Sequence, residues 1–358
     1  MGSSFGLRRL LPLVTVSSLV ANVMQYRAYN GMWVQRWEER AAARKEAGEL
    51  RQALASCRIA ADREGKAAAP PAQDGQASER DSGGSERIVA VGDIHGDLAA
   101  WHRALAVAGL VDASHNWVGG KAICVQIGDL IDGHGAEDDL VLQYTVRLQA
   151  QAVAAGGELF VILGDHDVNH LRSLWRQSEV PELPSWMRLV LPLHGTLFVH
   201  GSLMPKMLNR VSMNINTINN ALSEWIAGRT AAPSWLHSDF SPLESRRYGE
   251  DSAAALNQQQ SGKCAELQGL LQGLSLKRMV IGHTVRNEGI SPACDNQIWR
   301  IDVGLAKSES DAGKVGATQV LEITFADDQS PATVGGQIHR QVSVRVLHSA
   351  VTMPNWSS

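Results

Sequence analysis

One punctuation of Gly, Asp and His recurs five times along this chain. Short β-branched runs, Ile88–Val91, Ala122–Ile127, Leu159–Leu163, Thr196–Val199 and Met279–Ile281, each run into Gly, Asp and His. The first ends in Gly92-Asp93-Ile94-His95-Gly96, and the second in Gly128-Asp129-Leu130-Ile131-Asp132-Gly133. The third ends in Gly164-Asp165-His166-Asp167, the fourth in His200-Gly201-Ser202, and the fifth in Gly282-His283-Thr284. In open α/β sheets, groups just past the carboxyl ends of the strands converge on one crevice. Glycines beside the polar residues let the backbone turn sharply and approach a ligand. The pattern therefore predicts an α/β domain with one acidic, histidine-bearing site.

So many carboxylates in one place repel each other unless cations offset them. Two divalent ions do so, and a mixed oxygen and imidazole donor set suits Mn, Fe or Zn better than Ca or Mg. One Asp-x-His is weak; five strand-end signals in order are strong.

Around this core the chain is uneven. Residues 1–66 carry 11 Lys/Arg against 6 Asp/Glu, a net +5, and the remainder is −9. An acidic body is a poor electrostatic partner for nucleic acid, so none is expected. Residues 1–31 hold the charge-free run Leu10–Tyr26, at the short limit for a membrane span. It reads as a membrane anchor, an organellar targeting segment or an amphipathic helix, and these readings stay open. Residues 32–65 are patterned as a solvated stalk helix, and 66–86, rich in Pro, Ala, Gly and Ser, as a linker. Residues 87–350 form the expected domain. Helical periodicity over Leu98–Ala108 and Asp138–Ala155 separates the first three strands, and Ile298–Val303, Ala317–Thr324 and Gln341–Leu347 are further strands of a mixed sheet. The four cysteines show no CxxC spacing; Cys124 reads as a buried small hydrophobe, and pairing of Cys264 with Cys294 is left open.

The series GDIHG, GDLID, GDHD, VHGS and IGHT resembles the calcineurin-like metallophosphoesterases, in particular the phosphoprotein phosphatases. AAGGELFVILG before the third motif, VHGSL, and IGHT followed by QIWRIDVGL resemble the Shewanella-like phosphatase branch. The likeness spans about Arg87 to Leu305. It implies an αββα sandwich of two mixed sheets, preceded here by a helical leader. It also implies phosphomonoester hydrolysis, most readily of phosphoproteins, by attack of a hydroxide bridging two cations. Asp93 and His95 are implied to bind the first metal, Asp129 to bridge both, and Asp165, His200 and His283 to complete the second. His166 would be the general acid and Asp132 its orienting carboxylate. Arg246, with Arg247 as its substitute, would clamp the phosphate.

The chain departs from this family where charge matters. Asp165 and Asp167 stand where the third motif has Asn and Glu, Gly133 where the second has Arg, and Ser202 where the fourth has Gly. An ionised Asp165 lowers the charge of a two-cation, hydroxide-bearing site from +1 to 0. Two other readings follow: a degenerate phosphatase that binds phosphorylated partners, and a dinucleoside polyphosphate or RNA cap hydrolase.

Overall fold

The computed structural model describes residues 86–132, 137–175, 183–211, 214–258, 262–306, 318–326 and 341–349. The leader and stalk readings, the linker up to residue 85 and the reading on Gly133 lie outside the described residues.

Two mixed sheets carry the fold. The larger orders its strands β11-β10-β1-β2-β3-β4: β1 (Glu86–Val91), β2 (Ile123–Gln126), β3 (Glu158–Ile162), β4 (Met187–Arg188), β10 (Gln319–Ala326) and β11 (Gln341–His348). Strands β1 to β4 are parallel, β10 pairs antiparallel with β1, and β11 pairs antiparallel with β10 at the sheet edge. β1 begins at Glu86, one residue before the expected domain start. The smaller sheet orders as β5-β6-β7-β9-β8: β5 (Val190–Leu193), β6 (Thr196–Val199), β7 (Arg278–Ile281), β8 (Ser291–Ala293) and β9 (Ile298–Arg300). Here β6, β7 and β9 are parallel.

Period-two side-chain alternation explains how the sheets pack. Along β1, Ile88 and Ala90 join Val125, Ile127, Phe198, Val280, Trp299 and Leu321 in one buried cluster to which both sheets contribute. Val89 and Val91 belong instead to the cluster shared with the helices. That is the expected αββα sandwich. Its helices are α1 (Leu98–Val107), α2 (Asp138–Ala154), α3 (Asp165–Trp175), α4 (Pro205–Val211), α5 (Ile215–Ile226), α6 (Ala253–Leu256) and α7 (Lys263–Gly273). Side-chain caps set several starts: Asp97 accepts from Ala100 N at 2.7 Å and Asn214 from Thr217 N at 2.9 Å. The edge strand β11 is registered by charge as well, because Arg345 lies opposite buried Glu322, which also takes Arg87 Nε at 2.6 Å.

The short strands β4, β5 and β8 have no counterpart in the sequence reading. Each has only two to four residues, too few for a periodicity to register. Cys264 and Cys294, left open above, are joined in a disulfide between α7 and the turn after β8. Among the described residues no helix is long and apolar enough to cross a membrane.

Candidate metal centre

Every strand that delivers a predicted metal-ligating residue is one of the parallel strands. Asp93 and His95 follow β1, Asp129 follows β2, Asp165 opens α3 after β3, His200 follows β6, and His283 follows β7. The carboxyl edges of both sheets thus feed one site.

The convergence is close. Asp129, Asp165, His200 and His283 each offer a ligand atom within 4.8 Å of the others, and so do His95, Asp129 and His166. Asp129 is common to both sets. Its Oδ2 lies 3.3 Å from His200 Nε2 and 3.8 Å from His95 Nε2. Asp165 Oδ1 lies 3.3 Å from both His200 Nε2 and His283 Nδ1. Asp93 stands just outside these sets: its Oδ2 accepts from the His283 backbone N–H at 3.0 Å.

Backbone geometry is adapted to this arrangement. His95, Asp129 and His283 all adopt left-handed conformations, with φ of 46°, 50° and 63°. Each such non-glycine residue costs on the order of 1–2 kcal/mol, and such strain concentrates at functional sites. The Asp129 carbonyl is held by the backbone N–H groups of Ile94 and His95, at 2.9 and 2.8 Å. Gly128 has φ +105°, and a Cβ there would sit 2.5 Å from His200 Nδ1. Only glycine fits.

The imidazoles are pre-oriented. His200 directs Nδ1 to the Ile127 carbonyl at 3.0 Å, and His283 directs Nε2 to the Glu244 carbonyl at 3.2 Å. Each keeps its other nitrogen aimed at the carboxylates; a bond at one ring nitrogen fixes the tautomer and the ring orientation for ligation at the other. Asp93 Oδ1, Asp165 Oδ1 and His200 Nε2 are buried without a hydrogen-bond partner. Three orphaned donor atoms beside one another fit divalent cations far better than they fit a protein interior.

Electrostatics agree. Burial, then Asp302, push Asp93 well above the usual carboxylate range, and burial raises Asp302 itself. Burial also disfavours charge on Asp129 and Asp165, but the His200 imidazole, joined at Asp165 by His283, outweighs it and holds both below that range. His200 is driven up by Asp129 and Asp93 against its own burial. The site demands positive charge, and its donor set suits a metal to supply it.

His166 sits at the edge of this centre. Its Nδ1 is 3.0 Å from Asp132 Oδ1, and the same oxygen is 3.3 Å from His95 Nδ1. The two arginines diverge. Arg246 is exposed and donates through Nη1 to the His283 carbonyl at 2.8 Å and to Thr284 Oγ1 at 3.3 Å. Arg247 turns instead to α7, where Glu266 takes its Nε and Nη2 at 3.1 and 3.2 Å. Tyr248 donates to the same carboxylate at 2.9 Å. The side chain after Arg246 is thus drawn into the α7 contact rather than toward the metal ligands.

Three buried carboxyls escaped the sequence reading. Asp302 follows β9 and precedes Val303-Gly304, the same strand-Asp-Gly signal that marked the other loops. Asp138 accepts from Asp132 N at 3.0 Å, a contact with no local signal in the sequence. Asp167 lies inside the third motif but was given no role.

This arrangement, an αββα sandwich with carboxylates and imidazoles gathered at the ends of its parallel strands, is that of a metallophosphoesterase. The sequence matches the calcineurin-like phosphoesterase family over residues 86–287, and the chain belongs to that family. It is 27% identical over 307 residues to Shewanella-like protein phosphatase 2 of Arabidopsis thaliana, covering 66% of this chain and 75% of the relative. It is 24% identical over 249 residues to Shewanella-like protein phosphatase 1 of Plasmodium berghei, covering 62% and 67%. A solved cold-active protein tyrosine phosphatase superposes with a TM-score of 0.53 at 20% identity, covering 67% of this chain and 75% of that one.

Proposed function

We propose that this chain is a two-cation phosphomonoesterase acting on phosphorylated protein side chains. The observation that carries the reading is Asp129 Oδ2, one carboxylate oxygen facing both His200 and His95 from the residue common to both ligand sets. Asp165, His200 and His283 would hold one cation with Asp129, and Asp93 and His95 the other. Mn, Fe or Zn suits these donors. Such a pair supplies an activated water and offsets the charge of the phosphoryl group.

The chain's own residues do the rest. Arg246, anchored on the His283 carbonyl, binds phosphate oxygens. His166, its Nδ1 engaged by Asp132, carries a proton on Nε2 for the leaving oxygen, and the Asp132 carboxylate stabilises the imidazolium. The protein phosphatase names of the relatives support a phosphoprotein substrate. The acidic body argues against a nucleic-acid or cap substrate.

The test is hydrolysis of p-nitrophenyl phosphate and a phosphopeptide panel by the full chain, with bound Mn, Fe and Zn quantified. Diadenosine tetraphosphate serves as competitor. Turnover of phosphopeptides with two equivalents of metal supports the proposal. Two metals with no turnover of any phosphoester would turn the reading to a phosphate-binding module, and preference for the dinucleotide would change the substrate class.

A further inference from the structure

Asp167 has no assigned part in the site, yet it is almost wholly buried and both of its oxygens are committed. Oδ1 accepts from the Ile131 backbone N–H at 3.1 Å, and Oδ2 from the Gly164 N–H at 3.0 Å. Ile131 belongs to the loop after β2, which carries Asp129 and Asp132. Gly164 opens the loop after β3, which carries Asp165 and His166. One carboxylate therefore spans the two loops.

The tie is returned from the other side. The His166 backbone N–H, on the second loop, donates to Asp129 Oδ1 on the first at 3.1 Å. The loops exchange carboxylate-to-amide bonds in both directions, and they touch: a Cβ on Gly164 would lie 2.5 Å from the Asp129 backbone nitrogen. The consequence falls on Asp129. Its Oδ1 is taken by His166 N, so Oδ2 alone faces His200 and His95. Asp129 holds this pose in a left-handed conformation, which an aspartate adopts less readily than glycine does. Something must keep the loop from relaxing.

We infer that Asp167 is the positioning residue that locks the Asp129 loop onto the Asp165 loop, so that Asp129 Oδ2 sits where both ligand sets meet. This rests on the two-cation reading above. Asp167 touches neither substrate nor metal ligands' donor atoms; it acts through backbone amides. Its two oxygens each accept one of these bonds, which an amide side chain cannot do, because it offers one acceptor and turns an N–H toward the second donor.

The experiment loads full-length wild type, Asp167→Asn and Asp167→Glu with Mn(II). It measures metal stoichiometry and affinity, the electron paramagnetic resonance of the Mn pair, and the kinetics of p-nitrophenyl phosphate hydrolysis. Wild type should show an exchange-coupled pair. Asp167→Asn should keep its circular dichroism but give the spectrum of isolated Mn, with kcat lower by about 100-fold and KM little changed, since a displacement of ~1 Å costs that much. Asp167→Glu, which keeps the carboxylate, should restore the coupled signal. A coupled signal and near-wild-type kcat in Asp167→Asn would overturn the inference. If Asp167→Asn does not fold, hydrogen exchange of wild type decides: Ile131 and Gly164 amides exchanging freely with solvent refute the clamp, and strand-like protection supports it. A wild type that holds one Mn refutes the two-cation reading instead. The clamp then stands only if Asp167→Asn weakens that Mn at least tenfold.

Discussion

Asp132 brings its Oδ1 to 3.0 Å from Nδ1 of His166, while its backbone N–H is held by the buried carboxylate of Asp138. Burial works to lower the pKa of His166, but the charges of Asp129, Asp165 and Asp132 and a bond to the Asp132 carbonyl hold it above the ordinary value. If His166 protonates the leaving oxygen, the protonated form is active, and kcat declines as pH rises through this raised pKa. Asp132→Asn removes one of the raising charges. The decline should therefore begin at lower pH, with metal content unchanged, as pH–rate profiles on a phosphoester with a poor leaving group will show.

Asp129 and His166 share a ligand set but are assigned different work. Asp129→Asn should lose most bound metal and nearly all hydrolysis. His166→Asn should keep both metals and lose roughly 10²–10⁴-fold in rate, least for p-nitrophenyl phosphate, whose leaving group needs no proton. Equal metal loss in the two variants would make His166 a ligand rather than an acid.

The neighbouring arginines should separate cleanly. Arg246→Ala should weaken inhibition by inorganic phosphate and raise KM by about 10–150-fold, the range for one charge-assisted contact. Arg247→Ala should leave phosphate inhibition near wild type and lower Tm slightly, because its partner is Glu266.

The Cys264–Cys294 bond closes a loop across a sequence separation of 30. Chain-entropy arguments assign it roughly 3–4 kcal/mol. A Cys264→Ser, Cys294→Ser double variant, or wild type under a strong reductant, should unfold several degrees lower by calorimetry. An unchanged Tm would show that the unfolded chain is not constrained by this bond.

A pH dependence of stability arises away from the metal centre. His102 on α1 stacks on His115, with ring centroids 3.7 Å apart and planes 12° from parallel, and meets Tyr144 edge-on. Burial, then the charges of His115 and Arg147, lower its pKa. The unfolded histidine takes a proton near pH ~6.5, and the folded one only at lower pH. The stability linked to His102 is therefore complete above pH ~6.5 and lost as pH falls through that window. His102→Phe keeps a stacked ring without the proton, so its Tm should fall less than wild type between pH 7.5 and 5.5.

The principal strands, the first two helices and the six candidate metal ligands were legible in the sequence because their signals are local. A β-branched run ending in Gly and Asp is written in consecutive residues, and the alternation of Ile88, Val89, Ala90 and Val91 between two cores follows from the pleat alone. What joins these pieces is not local. That Asp129 Oδ2 serves both ligand sets, that Arg246 lies over His283 while Arg247 turns to Glu266, and that Cys264 meets Cys294 depend on how loops more than 15 residues apart pack together. Asp167 shows the boundary most plainly. Its identity is printed within the motif, but its work is done on the amides of Ile131 and Gly164, and backbone donors carry no residue name. Residue chemistry determined which groups can bind metal and phosphate. Only the meeting of two sheets at their carboxyl edges decided which atom of each group faces the site, since orientation is set by backbone strain and hydrogen bonds between segments distant along the chain.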